Sequence, residues 1–135
     1  MRVLFFPVNT PKEKILKLLE VTRGHFRKKE HLLFQVSDEK SAHFLDDLLW
    51  KAPPESFLPH LIVEEETAEW IAITKMKKNL NNARYVFNLC PTPFLLQGPC
   101  ELIYEFEDKS SPNRQMLSKK RFEAYRELQY KIASP

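Results

Sequence analysis

The chain has 135 residues, 43% of them apolar and 29% charged, with a formal net charge of +3. That length fits one domain spanning 1–135 with a core of its own, and that composition excludes a disordered, collagenous or membrane-bundle protein. No apolar run approaches the ~18 residues of a membrane span, and Met1–Val8 lacks the cleavage site of a secretory signal, so the expected compartment is the cytoplasm with no membrane partner.

Arg2–Val8 (RVLFFPV) is β-branched and aromatic and reads as a strand, with Pro7 at its end or on an edge. Thr10-Pro11-Lys12-Glu13 starts a helix: a Thr N-cap, Pro at the first helical position and Glu three residues after the cap. Ile15, Leu18, Leu19, Thr22 and Phe26 then recur at helical spacing, and Arg27-Lys28-Lys29 suits the negative end of the helix dipole. His31–Val36 is a second strand. Ser37 is expected to cap a second helix running to about Trp50, with Ala42, Leu45 and Leu49 as its core stripe and Pro53-Pro54 as its stop. Ala52–Glu69 reads as a Pro- and Glu-rich loop. Trp70–Lys75, Tyr85–Leu89 and Glu101–Glu107 read as strands, and Pro112 to about Lys131 as a final helix. The order β-α-β-α, three strands, α predicts a three-layer α/β domain. Its sheet is expected to be mixed but mostly parallel, flanked by helices, with Rossmann-like topology.

The residues that carry enzyme chemistry are sparse. Two glycines, Gly24 and Gly98, cannot build a G-x-G-x-x-G or Walker A loop. Cys90 and Cys100 lack C-x-x-C spacing and are read as free thiols. The four histidines have no ligand spacing, and His43 with Asp46 and Asp47 one turn on is read as a solvated helix face. No catalytic, cofactor-binding or metal-binding residue is assigned.

Charge is unevenly placed. From Lys109 to Pro135 seven cations face two acids, Glu123 and Glu127. At ~100° per residue, Leu117, Ala124 and Leu128 form the expected core stripe of the final helix. Gln115, Lys119, Phe122 and Arg126 fall together on the opposite side. An aromatic ring there is either covered by another loop or part of a small apolar pocket rimmed by positive charge. The second arrangement suits a short acidic peptide ending in an apolar side chain and a carboxylate. Trp50 likewise lies off the Ala42/Leu45/Leu49 face. It either packs with Phe57 across the Pro53-Pro54 turn as a satellite core or offers an interface anchor.

The run Leu49-Trp50-Lys51-Ala52-Pro53-Pro54-Glu55-Ser56-Phe57-Leu58-Pro59-His60 resembles a signature of the chi subunit of bacterial DNA polymerase III. Val36–Lys40, Asn79–Leu89 and the helix Lys119–Arg126 resemble further segments of that family. The resemblance implies a non-catalytic, cofactor-free subunit of the clamp-loader assembly. It implies an adaptor that joins the psi subunit to the acidic C-terminal tail of single-stranded-DNA-binding protein and meets nucleic acid only indirectly. Carried over by position, Trp50, Pro53 and Phe57 fall at the psi or competing-partner interface, and Lys119, Phe122 and Arg126 near the tail pocket, beside Gln115. Phe122 stands where a Tyr is common, which keeps the ring and loses a hydroxyl, and Gln115 stands where the family can carry a base. The competing reading is a small nucleotide- or nucleic-acid-binding α/β domain whose basic final helix contacts phosphates.

Overall fold

The structure is a computed structural model that describes residues 1–51, 58–95 and 99–134. Along the chain lie β1 (Arg2–Val8), α1 (Pro11–Arg27), β2 (Leu32–Gln35), α2 (Glu39–Trp50), β3 (Leu61–Ile62), β4 (Ile71–Thr74), β5 (Tyr85–Asn88), β6 (Leu102–Asp108), α3 (Pro112–Glu127) and β7 (Lys131–Ala133). The strands form one sheet in the order β3-β4-β2-β5-β6-β1-β7. Its pairs are parallel throughout, where a mixed sheet was expected. The difference lies in the links from β4 to β5 and from β5 to β6: without helices among their described residues they could have closed antiparallel hairpins, but they cross over instead.

Three layers result, as expected. On one face Leu18 and Leu19 of α1 and Ala42, Leu45 and Leu49 of α2 pack on Phe6, Leu32, Phe34, Ile73 and Phe87. On the other, Tyr125 of α3 packs with Val3, Phe5, Leu33, Ala72, Val86 and Ile103. Among the described residues no helix is long and apolar enough to cross a membrane.

Local chemistry explains the element ends. Thr10 Oγ1 accepts from the Glu13 N–H at 3.2 Å, and the Glu13 carboxylate accepts from the Asn9 N–H, which together fix the start of α1. α2 is capped by Asp38, not Ser37: Asp38 Oδ1 accepts from the Ser41 N–H at 2.7 Å, so the helix begins one residue later than the sequence suggested. β7 pairs with β1 only from Arg2 to Leu4, which leaves Pro7 on an unpaired edge where its missing N–H costs nothing.

Three expectations are corrected. The stretch Ala52–Glu69 contains a short strand, β3, paired with Ala72 and Ile73. The final helix ends at Glu127 rather than near Lys131. Leu128 caps it, Gln129 turns the chain through a left-handed conformation (φ 61°), and Lys131–Ala133 joins the sheet. Finally, α3 does not bury Leu117, Ala124 and Leu128. It buries Ser118, Arg121 and Tyr125, leaving Leu117 and Ala124 half-buried and Leu128 exposed. The reason lies in the sheet. Ala72, Leu33, Val86, Ile103 and Val3 align in one apolar row. Two residues further on, Thr74, Gln35 and Asn88 align, with Glu105 opposite Phe5. All four polar residues are buried. A helix lying over that polar row must offer hydrogen bonds, not leucines.

Candidate functional surfaces and the buried pair behind them

Glu105 of β6 is fully buried and receives three donors. Arg121 Nε donates to its Oε1 at 3.0 Å; Asn88 Nδ2 and Tyr125 Oη donate to its Oε2 at 2.7 and 2.5 Å. Arg121 also donates to the Phe106 and Pro91 carbonyls, and Tyr125 Oη accepts from the Phe94 N–H. Ser118 Oγ accepts from the Asp108 N–H and donates to the Phe106 carbonyl. Burial pushes the Glu105 carboxyl up to about 7, against the pull of Arg121 and the other donors. This network sets both the position and the rotation of α3.

That rotation turns Gln115, Lys119, Phe122 and Arg126 outward on one exposed face. Phe122 is neither sealed in nor free-standing: its side is 37% exposed, and its ring centroid lies 5.7 Å from that of buried Phe5 in β1. Phe5 in turn meets Tyr125 edge-on at 6.2 Å. Among the described residues the ring's aromatic support is therefore a strand residue, Phe5. Lys119 forms no ion pair among the described residues. Among the described residues Arg126 pairs only with Glu123, 2.8 Å away on the preceding turn, a surface pair of little stabilising value. The face thus joins a half-open apolar ring to two readily available cations.

The second candidate surface begins at Trp50, the last residue of α2, which is 53% exposed. Its ring centroid lies 4.4 Å from that of His60. His60 is itself locked, Nδ1 against the Leu58 carbonyl at 2.6 Å and Nε2 against Asp46 Oδ1 at 2.9 Å. Asp46 therefore orients His60, while His43 stays exposed on the helix surface. Pro53 and Phe57 lie outside the described residues, so the expected Trp50–Phe57 cluster does too.

Cys90 and Cys100 are free thiols, each pushed up to about 11 by burial, so they stay protonated at neutral pH. Among the described residues no group of three His, Cys, Asp or Glu side chains could hold a metal ion.

Sequence reasoning missed one feature altogether. A cleft of about 480 Å³ opens at the carboxyl ends of β2, β5 and β6, between α1, α2 and the start of α3. Its residues come from six separate segments, which no local motif could unite. The available signal was Phe44, an aromatic on α2 outside the Ala42/Leu45/Leu49 stripe.

Residues 1–133 match the family described as DNA polymerase III chi subunit, HolC. Among curated proteins, DNA polymerase III subunit chi of Escherichia coli (strain K12) is 39% identical over 46 residues, a stretch covering 34% of this chain and 31% of that protein. The alignment thus spans about a third of the length of the curated relative.

Proposed function

The chain belongs to the DNA polymerase III chi subunit family, and on that premise we propose that it is a non-catalytic accessory subunit of the replicase. In this reading it is an adaptor in the cytoplasm that links the clamp loader, through a psi subunit, to the acidic C-terminal tail of single-stranded-DNA-binding protein. Nucleic acid is met through that tail rather than directly.

The observation that supports the reading is the outer face of α3. The Phe122 ring, resting on Phe5 and open on its other side, offers a flat apolar seat. Lys119 and Arg126 flank it one turn away on either side. A peptide ending in an aromatic residue with a free carboxylate, preceded by acids, matches that pattern. The terminal ring stacks against Phe122 and the carboxylates meet the ammonium and the guanidinium. Trp50 is assigned to the second partner, psi, with Pro53 and Phe57 beside it in sequence. Backed by a locked His60, the indole is held in place before any partner arrives, which lowers the entropy cost of docking.

A pull-down with immobilised acidic tail peptide, with and without its terminal Phe, tests the assignment. Retention that depends on the terminal Phe is the expected outcome. Equal retention by both peptides, or by neither, would reject it.

A further inference from the structure

The cleft at the strand ends lies beside neighbouring strands whose onward connections diverge. From β2 the chain leaves through α2 toward β3 at one edge of the sheet; from adjacent β5 it leaves toward β6 on the other side, over the opposite face. Open parallel sheets hold small ligands at such a point, because the diverging connections leave a crevice above the carboxyl ends. Here the crevice encloses about 480 Å³, which is within the ~300–1,000 Å³ of small-molecule sites.

Its lining has two characters. Leu18, Leu45 and Phe106 make an apolar wall, and Phe44 stands at the mouth, 64% exposed. Four cations also line it. Lys14 is engaged by Asp108 at 2.8 Å and buried Arg121 by Glu105 at 3.0 Å. Lys40 and Arg114 have no ion-pair partner among the described residues. Arg114 sits in the first turn of α3, where a cation opposes the helix dipole and where no acid compensates it, so helix stability does not explain its presence.

We propose that this cleft binds a nucleoside monophosphate, its base against Phe44 and its phosphate against Lys40 and Arg114. A pyrophosphate held by backbone N–H groups requires a glycine-rich turn, which a chain with two glycines does not build. Side-chain cations on one phosphate fit what is present. The site is separate from the proposed peptide face. Arg114, Leu117 and Arg121 point about 140° around α3 from Gln115, Lys119, Phe122 and Arg126, at ~100° per residue.

The test is a titration of the isotope-labelled full chain, followed by backbone amide shifts at low salt. The probes are thymidine monophosphate, thymidine and inorganic phosphate, with a short oligonucleotide carrying or lacking a terminal phosphate. The nucleotide is expected to shift amides of residues 40–45, 88–91 and 114–117 at about millimolar affinity or better. Thymidine and phosphate alone are expected to bind about tenfold more weakly or less, because each meets half the site. Lys40→Gln combined with Arg114→Gln is expected to cost about tenfold for the nucleotide while leaving tail-peptide affinity unchanged. Both residues are exposed and have no ion-pair partner among the described residues, so the variant is expected to keep the fold. Tighter binding by the phosphorylated oligonucleotide at the same amides would identify a strand end as the source of the nucleotide, and equal or weaker binding the free nucleotide. Phosphate binding as tightly as the nucleotide, shifts confined to the Lys119/Phe122 face, or no shifts would each overturn the proposal.

Discussion

Arg121 of α3 donates from Nε to Glu105 of β6 at 3.0 Å, with both side chains buried. The pair fixes the rotation of α3: because Arg121 and Tyr125 must reach Glu105, Phe122 is turned to the helix margin, half exposed against Phe5. A buried ion pair thereby orients an exposed recognition surface.

Above about pH 7, where Glu105 is ionised, truncating Arg121 would leave its carboxylate buried without a counter-charge. Arg121→Ala is expected to destabilise the fold by about 3–5 kcal/mol, read by urea unfolding. Arg121→Lys keeps the charge but not the planar fork that also reaches the Phe106 and Pro91 carbonyls, so its cost should be smaller. An Arg121→Ala variant as stable as the wild type would show that the pair does not hold α3.

The Glu105 pair also makes stability pH-dependent. The Glu105 carboxyl titrates in the folded chain at about 7, above the ~4.3 of an unperturbed Glu. Between those values the folded state keeps a proton that the unfolded state has lost. The stability this contributes is present below the unfolded value and is lost as pH rises through about 7. Burial lowers the His25 pKa and gives the opposite slope, stability rising with pH toward the unfolded value. Comparison with Glu105→Gln removes that overlap. The variant carries a constant offset from an unpaired Arg121, so wild-type stability relative to the variant should fall by about 1–3 kcal/mol from roughly pH 5 to 8. A difference that does not vary with pH would contradict the assignment.

Asp38 is the N-cap of α2 through its bond to the Ser41 N–H. Asp38→Ala is expected to cost about 1 kcal/mol, whereas Ser37→Ala should be nearly neutral, by thermal unfolding. The reverse order would restore Ser37 as the cap.

Trp50→Ala should weaken binding of the second partner, with a loss of about 2 kcal/mol if the indole is an anchor. It should leave tail-peptide affinity unchanged, since α2 and α3 cover opposite faces of the sheet. Parallel titrations with psi and with peptide decide this, and loss of both affinities in a folded variant would mean that one surface serves both.

Much of the architecture was legible because it is written in local chemistry. RVLFFPV gives β1, Thr10-Pro11-Lys12-Glu13 gives the start of α1, and Ala42, Leu45 and Leu49 give the buried stripe of α2. What the sequence hid was non-local. Glu105 reads as the polar half of an alternating strand, yet β6 lies between β5 and β1 and is covered on both faces. That placement turns Arg121 inward and misplaces the apolar stripe expected for α3. The outward positions of Gln115, Lys119, Phe122 and Arg126 were legible all the same, because they lie far enough around the helix from either inner face. β7 was hidden because three residues after a helix carry no periodicity of their own. The cleft was hidden because its walls meet only once the sheet is assembled.

The most direct test of the adaptor reading is the affinity of a labelled acidic, Phe-ended peptide for the wild type and for Lys119→Glu and Arg126→Ala, measured by fluorescence anisotropy at two salt concentrations. The account predicts a dissociation constant in the micromolar range, roughly −8 kcal/mol at 1 μM, weakened by salt and by both substitutions. An affinity unchanged in both variants would contradict it.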